Sequence, residues 1–317
     1  MILDIFREKN TEIVFSVLPA WEMFFSMHVL SNPEHHASRK KWAESKEKSS
    51  PELIGRIREL DEITNTWTII IDSDRWSEIR QMEIVEMFSY FRKMTIYQWN
   101  EWMQYSGKTM SMKERDQILQ VMEDYYREIF RREEAILRAY LGRILKKERE
   151  KCENEGLWEW CKKIHPRLCV EQDTVTYLKN REYRYLKDDI HSIFITASTF
   201  VAPHLWLYHN PNELEIVKGV IVEQSEYRIP KDFVRIFKVL GDGTRLQIIR
   251  HLMDGICTTR DLACEMGISE AAVSKHLKIM KAAGLVRKSK QGFYMKYEFV
   301  TEMIDYIPYA FYETMLQ

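Results

Sequence analysis

Residues 256–297 read ICTTRDLACEMGISEAAVSKHLKIMKAAGLVRKSKQGFYMKY, and the capping, turn and charge signals in this stretch decide how the chain is read. Thr258 and Asp261 have capping-box spacing: the threonine oxygen accepts an amide three residues on, and the acid sits at the positive end of the new helix. A short helix is therefore predicted from about Thr259. It carries Leu262 and Met266 inward and stops at Gly267, where a residue without Cβ takes the positive φ of a sharp turn. Ser269 is a second N-cap. Beyond it Val273, Leu277 and Met280 recur at i, i+4 and i+7, so one face of the second helix must be buried. Ala271, Ser274, Lys275 and Lys278 fall on the opposite side, small residues allowing close approach and polar ones able to reach bases or phosphates in a major groove. Gly284 ends this helix. Leu285-Val286-Arg287 and Phe293-Tyr294-Met295-Lys296-Tyr297 then read as two strands joined by Lys288-Ser289-Lys290-Gln291-Gly292, a wing with a basic tip.

Between Ala271 and Tyr297 there are seven Lys or Arg (Lys275, Lys278, Lys281, Arg287, Lys288, Lys290, Lys296) and no Asp or Glu, a local charge of +7. Solvated faces usually mix signs, whereas here acids are excluded over both helix and wing, which points to a polyanionic partner. Residues 229–317 carry 13 Lys/Arg and 10 Asp/Glu, a net of +3, against 34 and 38, a net of −4, over residues 1–228. All nine tryptophans lie in those first 228 residues. Two domains are expected, 1–228 and 229–317, joined near Ser225 to Pro230. Only the second is built to meet nucleic acid, and a total charge of −1 argues against a nonspecific coating protein.

The run LGDGTRLQIIRHLMDG at 240–255 followed by RDLACEMGISEAAVSKHLKIMKAAGLV at 260–286 resembles the ArsR family of winged-helix regulators. The resemblance rests on the Leu240 to Arg245 opening, with Gly243 where proline is common, on Ser274-Lys275-His276-Leu277, and on the Ala283-Gly284-Leu285-Val286 exit. It implies a recognition helix at about 269–283, a wing over 287–296, and a homodimer, a repressor in that family's habit, that reads a two-fold operator in double-stranded DNA. The DNA-contacting set it implies is Ser269, Ala271, Ala272, Ser274, Lys275, His276 and Lys278 from the helix, with Arg287, Lys288, Lys290 and Lys296 from the wing. The thiolate pair of the family's metal sensors would fall on Thr258 and Arg260. Neither ligates as a thiolate, and Cys257 and Cys264 alone make a poor closed site, so no metal is expected in this domain.

The N-terminal region alternates two textures. Helical stretches are expected at 20–30, 51–60, 76–105 and 112–161, and short strands at 174–178, 182–186, 192–197, 204–208 and 213–222, with 12–17 as an additional strand. The fold class is α+β: a mixed helix and antiparallel-sheet domain, then the winged helix-turn-helix. Segments 12–36 and 164–211 resemble an uncharacterised domain found fused N-terminally to ArsR-type winged helices, which identifies no ligand.

Chemistry in this region is sparse. Cys161, His165 and Cys169 have i, i+4, i+8 spacing, but Pro166 ends any helix that would align them. His35 and His36 follow Pro33-Glu34 in a loop-like stretch and diverge in direction, so a solvated pair is expected. Gly241-Asp242-Gly243 is too short for a phosphate loop, and Gly-x-Ser-x-Gly and His-Glu-x-x-His do not occur. No cofactor, metal or catalytic residue is therefore expected. Trp21, Phe24, Phe25, Trp99, Trp102, Phe200, Trp206 and Tyr208 either fill a core or line an apolar pocket for a small-molecule effector. Five cysteines without framework spacing, no apolar run of membrane length and a charged MILDIFREKN start lead to the expectation of a cytoplasmic protein with reduced thiols. An enzyme or a protein-interaction module, with the winged helix only localising the N-terminal domain, is the alternative.

Overall fold

The computed structural model describes residues 1–178, 182–210, 212–222, 229–255, 257–291, 294–301, 303–304, 307–308 and 311. The chain divides into two compact units, Met1–Tyr177 with Tyr183–Glu226, and Leu178–Glu182 with Tyr227–Gln317. Most of the expected junction falls on 223–228, outside the described residues.

The first unit opens with a hairpin, β1 (Ile2–Glu8) and β2 (Thr11–Ser16). Helices follow: α1 (Pro19–Ser31), α2 (Lys40–Ser49), α3 (Pro51–Glu59), α4 (Asp61–Thr64), α5 (Trp76–Ile79), α6 (Ile84–Lys93), α7 (Ile96–Trp102), α8 (Met112–Tyr125), α9 (Arg131–Glu155) and α10 (Leu157–Cys161). The rest is strand: β3 (Leu168–Val170), β4 (Thr174–Leu178), β5 (Glu182–Leu186), β6 (Ser192–Ser198), β7 (Trp206–Asn210) and β8 (Glu213–Gly219). Strands β3, β4 and β5 make a small sheet of their own.

The main sheet has the order β1-β2-β6-β8-β7 and is mixed, which corrects the expectation of an antiparallel sheet. Pairs β1–β2 and β7–β8 are antiparallel, but β2–β6 and β6–β8 are parallel. Ten α-helices and the strands β3 to β5 lie between β2 and β6 among the described residues, and a crossover of that length can return the chain in the same direction. The central strands TEIVFS and SIFITAS are buried on both faces, as near-continuous apolar runs require. Their period-2 alternation divides two cores. Val14, Phe194 and Val217 join the α1–α8 side, whereas Ile13, Phe15, Ile193, Ile195, Leu214 and Ile216 join the side of α9, α10 and the small sheet.

Helix α1 is buried almost all round, its Glu22 carboxylate accepting from Ser198 Oγ at 2.6 Å and the Thr199 amide at 2.8 Å. Stretch 76–105 is three helices rather than one, because Glu83 and Thr95 each start a new capping box with Glu86 and Gln98. Stretch 112–161 is likewise interrupted, by a π turn at Tyr126–Phe130 and by Gly156 at φ +86°. Of the eight aromatics offered as a pocket lining, Trp21, Phe24, Phe25, Trp99, Trp102 and Phe200 are core side chains, and Trp206 packs against them. His35 and His36 are not a solvated pair: both are buried, at 5% and 0% exposure, just before α2. Both rings pack against His204 from a distant segment, which loop-like composition does not signal.

The second unit runs α11 (Lys231–Leu240), α12 (Gly243–Met253), β9 (Cys257–Thr258), α13 (Thr259–Met266), α14 (Glu270–Ala282), β10 (Val286–Gln291) and β11 (Tyr294–Phe299). Its core joins Val239, Ile248, Leu252, Leu262, Val273, Leu277, Met280, Leu285 and Phe299. Much of the C-terminal apolar segment falls outside the described residues, but Met303 and Ile304 pack on this core. No described helix is long and apolar enough to cross a membrane.

One polar network ties α5 to the sheet of the first unit. Arg80, beside α5, donates from its two terminal nitrogens to Glu213 at 2.6 and 2.8 Å and to the fully buried Glu215 at 2.8 Å, while Trp76 Nε1 donates to Glu215 at 3.2 Å. Breaking a buried pair from one side strands the remaining charge. Arg80→Met should therefore lower the stability of the first unit by about 3–5 kcal/mol. Arg92→Ala, which removes a solvent-exposed pair with Glu123, should cost about 1 kcal/mol or less. Urea unfolding followed by tryptophan fluorescence isolates this unit, since all nine tryptophans lie within it.

Candidate nucleic-acid interface

Thr258 starts α13 with a reciprocal cap: its Oγ1 accepts the Asp261 amide at 3.2 Å and its own amide donates to Asp261 at 2.8 Å. The helix closes at Gly267, φ +65°, where Gly267 N donates to Cys264 O and Ile268 N to Ala263 O. Ser269 Oγ then accepts the Ala272 amide at 3.2 Å, so this hydroxyl is engaged in capping α14. At the other end Gly284, φ +74°, reverses the chain, with Leu285 N donating to Met280 O at 3.0 Å.

Between these caps α14 has two unlike faces. Val273, Leu277 and Met280 are buried, at 0%, 1% and 0% exposure. Ala271, Ser274, Lys275, Lys278 and Lys281 are exposed, and among them only amines, one hydroxyl and methyl groups are presented. Ala272 and His276 flank the buried stripe and are half-buried. His276 lies near Asp242, whose carboxylate accepts the Arg245 amide at 3.0 Å; that bond, with Arg245 and His276 close by, holds the Asp242 carboxyl below its usual range. The structure thus gathers Ser274, Lys275 and Lys278 on one open face and leaves His276 half-buried at its flank.

The wing is longer than expected. Strand β10 continues through Lys288, Ser289, Lys290 and Gln291, pairing with β11 from Val286↔Phe299 to Gln291↔Tyr294. Lys288 and Lys290 therefore sit in a strand and not in the expected connection over 288–292, of which Gly292 lies outside the described residues. Their side chains, with Arg287, are exposed. Lys296 is half-buried, paired across the sheet with Thr258, and its charge helps hold the Asp261 carboxyl low after the bonds from Thr258. Strand β9, two residues long and without a sequence signal, adds a third strand through Thr258↔Lys296 and Cys257↔Tyr297. It also parts the two cysteines: Cys257 lies in β9 and Cys264 on α13, so they do not share a helical face. Burial, with Asp261, Glu265 and Asp254 nearby, pushes the Cys257 thiol up, away from the thiolate a soft metal needs.

In the first unit α10 ends at Cys161, so Cys161, His165 and Cys169 do not lie along one helix; Cys161 is buried and Cys169 is exposed on β3. The sequence reading offers none of the next three residues as a metal ligand. His28, His36 and His204 meet with their ligand atoms all within 4.8 Å of one another. Their separation along the chain hides them from sequence, since none of the three has a spacing signature.

The element order of the second unit, helix pair, two-residue strand, helix-turn-helix and two-stranded wing, defines a winged helix-turn-helix. The family model for bacterial regulatory proteins of the arsR family matches residues 242–288. The chain is 32% identical over 70 residues to the transcriptional repressor SdpR of Bacillus subtilis, covering 22% of this chain and 78% of that protein. It is 35% identical over 63 residues to the HTH-type transcriptional regulator CmtR of Mycobacterium tuberculosis, covering 20% of this chain and 53% of that protein. Among solved structures, an ArsR-like transcriptional regulator from Rhodococcus sp. RHA1 matches with 28% identity over 23% of this chain and 68% of that one, at a TM-score of 0.23. The chain belongs to the arsR family of bacterial regulatory proteins. It spans about half the length of CmtR, and the residues matched by the family model lie in the second unit.

The two faces of α14 should respond differently to substitution. Leu277→Ala should destabilise the second unit by about 2–5 kcal/mol, through reduced apolar burial and the cavity left behind. Lys278→Ala, one residue on, should leave stability within about 0.5 kcal/mol. Hydrogen exchange of α12 and α13 peptides measures both.

Proposed function

We propose that this protein is a sequence-specific DNA-binding transcriptional regulator, a repressor acting as a homodimer on a two-fold operator. The observation that carries the reading is the exposed face of α14, where Ser274, Lys275 and Lys278 stand opposite a fully buried apolar stripe. In a major groove this face meets base edges, Lys275 and Lys278 as donors to guanine acceptors and Ser274 to either partner. Arg287, Lys288 and Lys290 extend along the wing as contacts to phosphates or the minor groove, and phosphate contacts fix register and dominate affinity. Ser269 and Ala271 lie at the N-terminal end of the helix that enters the groove. Ala272, His276 and Lys296, being half-buried, support the interface from behind more than they reach into it.

Relatives named as a transcriptional repressor and a transcriptional regulator support the regulatory role, and one solved relative is described as a homodimeric winged helix-turn-helix domain. In this chain α11 leaves Val234 and Phe237 exposed, at 37% and 43%, a patch that suits a second copy. A dimer places two recognition helices to address half-sites about 34–36 Å apart. Regulatory input enters through the first unit, because the described part of the winged helix offers no set of thiolates for a metal.

Selection from a random duplex pool should enrich a palindromic sequence with the parent protein. On that sequence Lys275→Ala/Lys278→Ala should weaken binding by roughly 1–3 kcal/mol for each base edge no longer read. Lys288→Ala/Lys290→Ala should instead weaken binding to all sequences and flatten the salt dependence, by a slope of roughly 0.9 for each phosphate no longer neutralised. Parent affinity in the Lys275/Lys278 variant contradicts the assignment. Sedimentation equilibrium of Val234→Asp/Phe237→Asp should show a monomer where the parent is a dimer.

A further inference from the structure

We propose that His28, His36 and His204 form a binding site for a divalent transition metal ion within the first unit. The inference is independent of the DNA-binding reading. The three residues come from the body of α1, the segment before α2 and the loop between β6 and β7, and only the fold brings them together. Ring centroids lie 5.0 Å apart for His28–His36, 5.3 Å for His36–His204 and 5.7 Å for His28–His204.

Tautomer control is the feature that separates this group from a chance cluster of aromatic rings. His28 Nδ1 lies 2.7 Å from the Thr66 carbonyl oxygen, and His36 Nδ1 lies 2.8 Å from that of Ala202. A carbonyl only accepts, so in both neutral rings Nδ1 carries the proton and Nε2 is left with the lone pair. A backbone carbonyl bonded to one imidazole nitrogen while the other faces an ion is the recurrent outer-sphere arrangement of histidine metal ligands. His36 Nε2 is buried and has no hydrogen-bond partner. An acceptor so placed costs free energy unless something satisfies it.

The carbonyl that orients His28 is itself held in an uncommon backbone conformation. Asn65, Thr66 and Trp67 have φ of 50°, 50° and 67°, three successive non-glycine residues in the left-handed region. The turn is secured by Thr66 N donating to Asp61 O at 2.7 Å and Trp67 Nε1 donating to Ile57 O at 3.0 Å. Strain of this kind persists where surrounding structure over-determines it, and it gathers at ligand sites.

Donor chemistry sets the class of ion. Three imidazoles with no carboxylate or thiolate in the described group suit zinc, cobalt, nickel or copper over magnesium or calcium. Tetrahedral Zn–N bonds of about 2.0–2.1 Å place ligating nitrogens about 3.3–3.4 Å apart. With the ligand atoms here within 4.8 Å, loading needs a closure of about 1.5 Å at most from that geometry. Three protein ligands leave a fourth position for water or an anion. His35, stacked on His204 at 4.9 Å, and Phe25, 5.5 Å from His28, wall the group.

The test uses the full chain, stripped with chelator and titrated with Co(II), then with Zn(II) in competition. One equivalent should bind with ligand-field bands of a low-coordinate nitrogen site, and Zn(II) should raise the melting temperature read by tryptophan fluorescence. His204→Gln and His36→Gln should lose affinity by more than the 10–100-fold typical of removing an outer-sphere partner, while Cys257→Ser/Cys264→Ser should bind as the parent does. X-ray absorption of the zinc-loaded parent should show imidazole nitrogen and no sulfur, a readout that needs no variant to fold. Failure of the parent to bind at micromolar ion, a sulfur shell, or undiminished binding in a folded His204→Gln each overturns the site.

Discussion

Burial of Val273, Leu277 and Met280 against Leu262, Ile248 and Leu252 is the constraint on which the candidate interface depends. Each such side chain gains roughly 1.5–3 kcal/mol on leaving water, so turning α14 about its axis would forfeit several kcal/mol with nothing to replace it. The helix is therefore held in one rotation. With the stripe fixed inward, geometry alone sends Ser274, Lys275 and Lys278 outward, because residues at i+1, i+2 and i+5 from Val273 lie away from it. Caps at Ser269 and Gly284 fix where the face begins and ends. The exposed basic face and the buried apolar stripe thus occupy opposite sides of the same thirteen residues.

Much of this unit is legible in sequence because its signals are local. The Thr258–Asp261 box, the glycine turns at 267 and 284 and the 4-3 apolar spacing each act within one or two helical turns, and the structure carries all of them. Strand β9 is not legible because two residues have no periodicity, and the extent of β10 is not because Lys288-Ser289-Lys290 has none of the apolar alternation that marks a strand. His276 shows the limit of helical-wheel reasoning: its neighbour Lys275 is exposed, but His276 itself is half-buried at the flank of the apolar stripe.

In the first unit the fold class is legible and the connections are not. Burial on both faces gives β2 and β6 consecutive apolar residues, Ile13 to Phe15 and Ile193 to Ile195, yet nothing in TEIVFS or SIFITAS states that they pair in parallel across more than 170 residues. His28, His36 and His204 illustrate the same gap between local pattern and tertiary placement. The loop-like neighbours of His35 and His36 suggest exposure, whereas both are buried, packed against His204. A site assembled from distant segments leaves no motif, and its clearest sign is physical: a buried imidazole nitrogen whose partner ring atom is committed to a backbone carbonyl.

We propose that DNA is met by the open face of α14 and the strand that follows it. Lysine-selective acylation of the full chain, read residue by residue by mass spectrometry with and without a selected duplex, tests it most directly. Lys275, Lys278, Lys288 and Lys290 are all exposed in the free protein and should become protected. Exposed lysines of the first unit such as Lys93 and Lys113 should keep their reactivity. Protection confined to the first unit, or no protection at Lys275 and Lys278 under saturating DNA, would contradict the account.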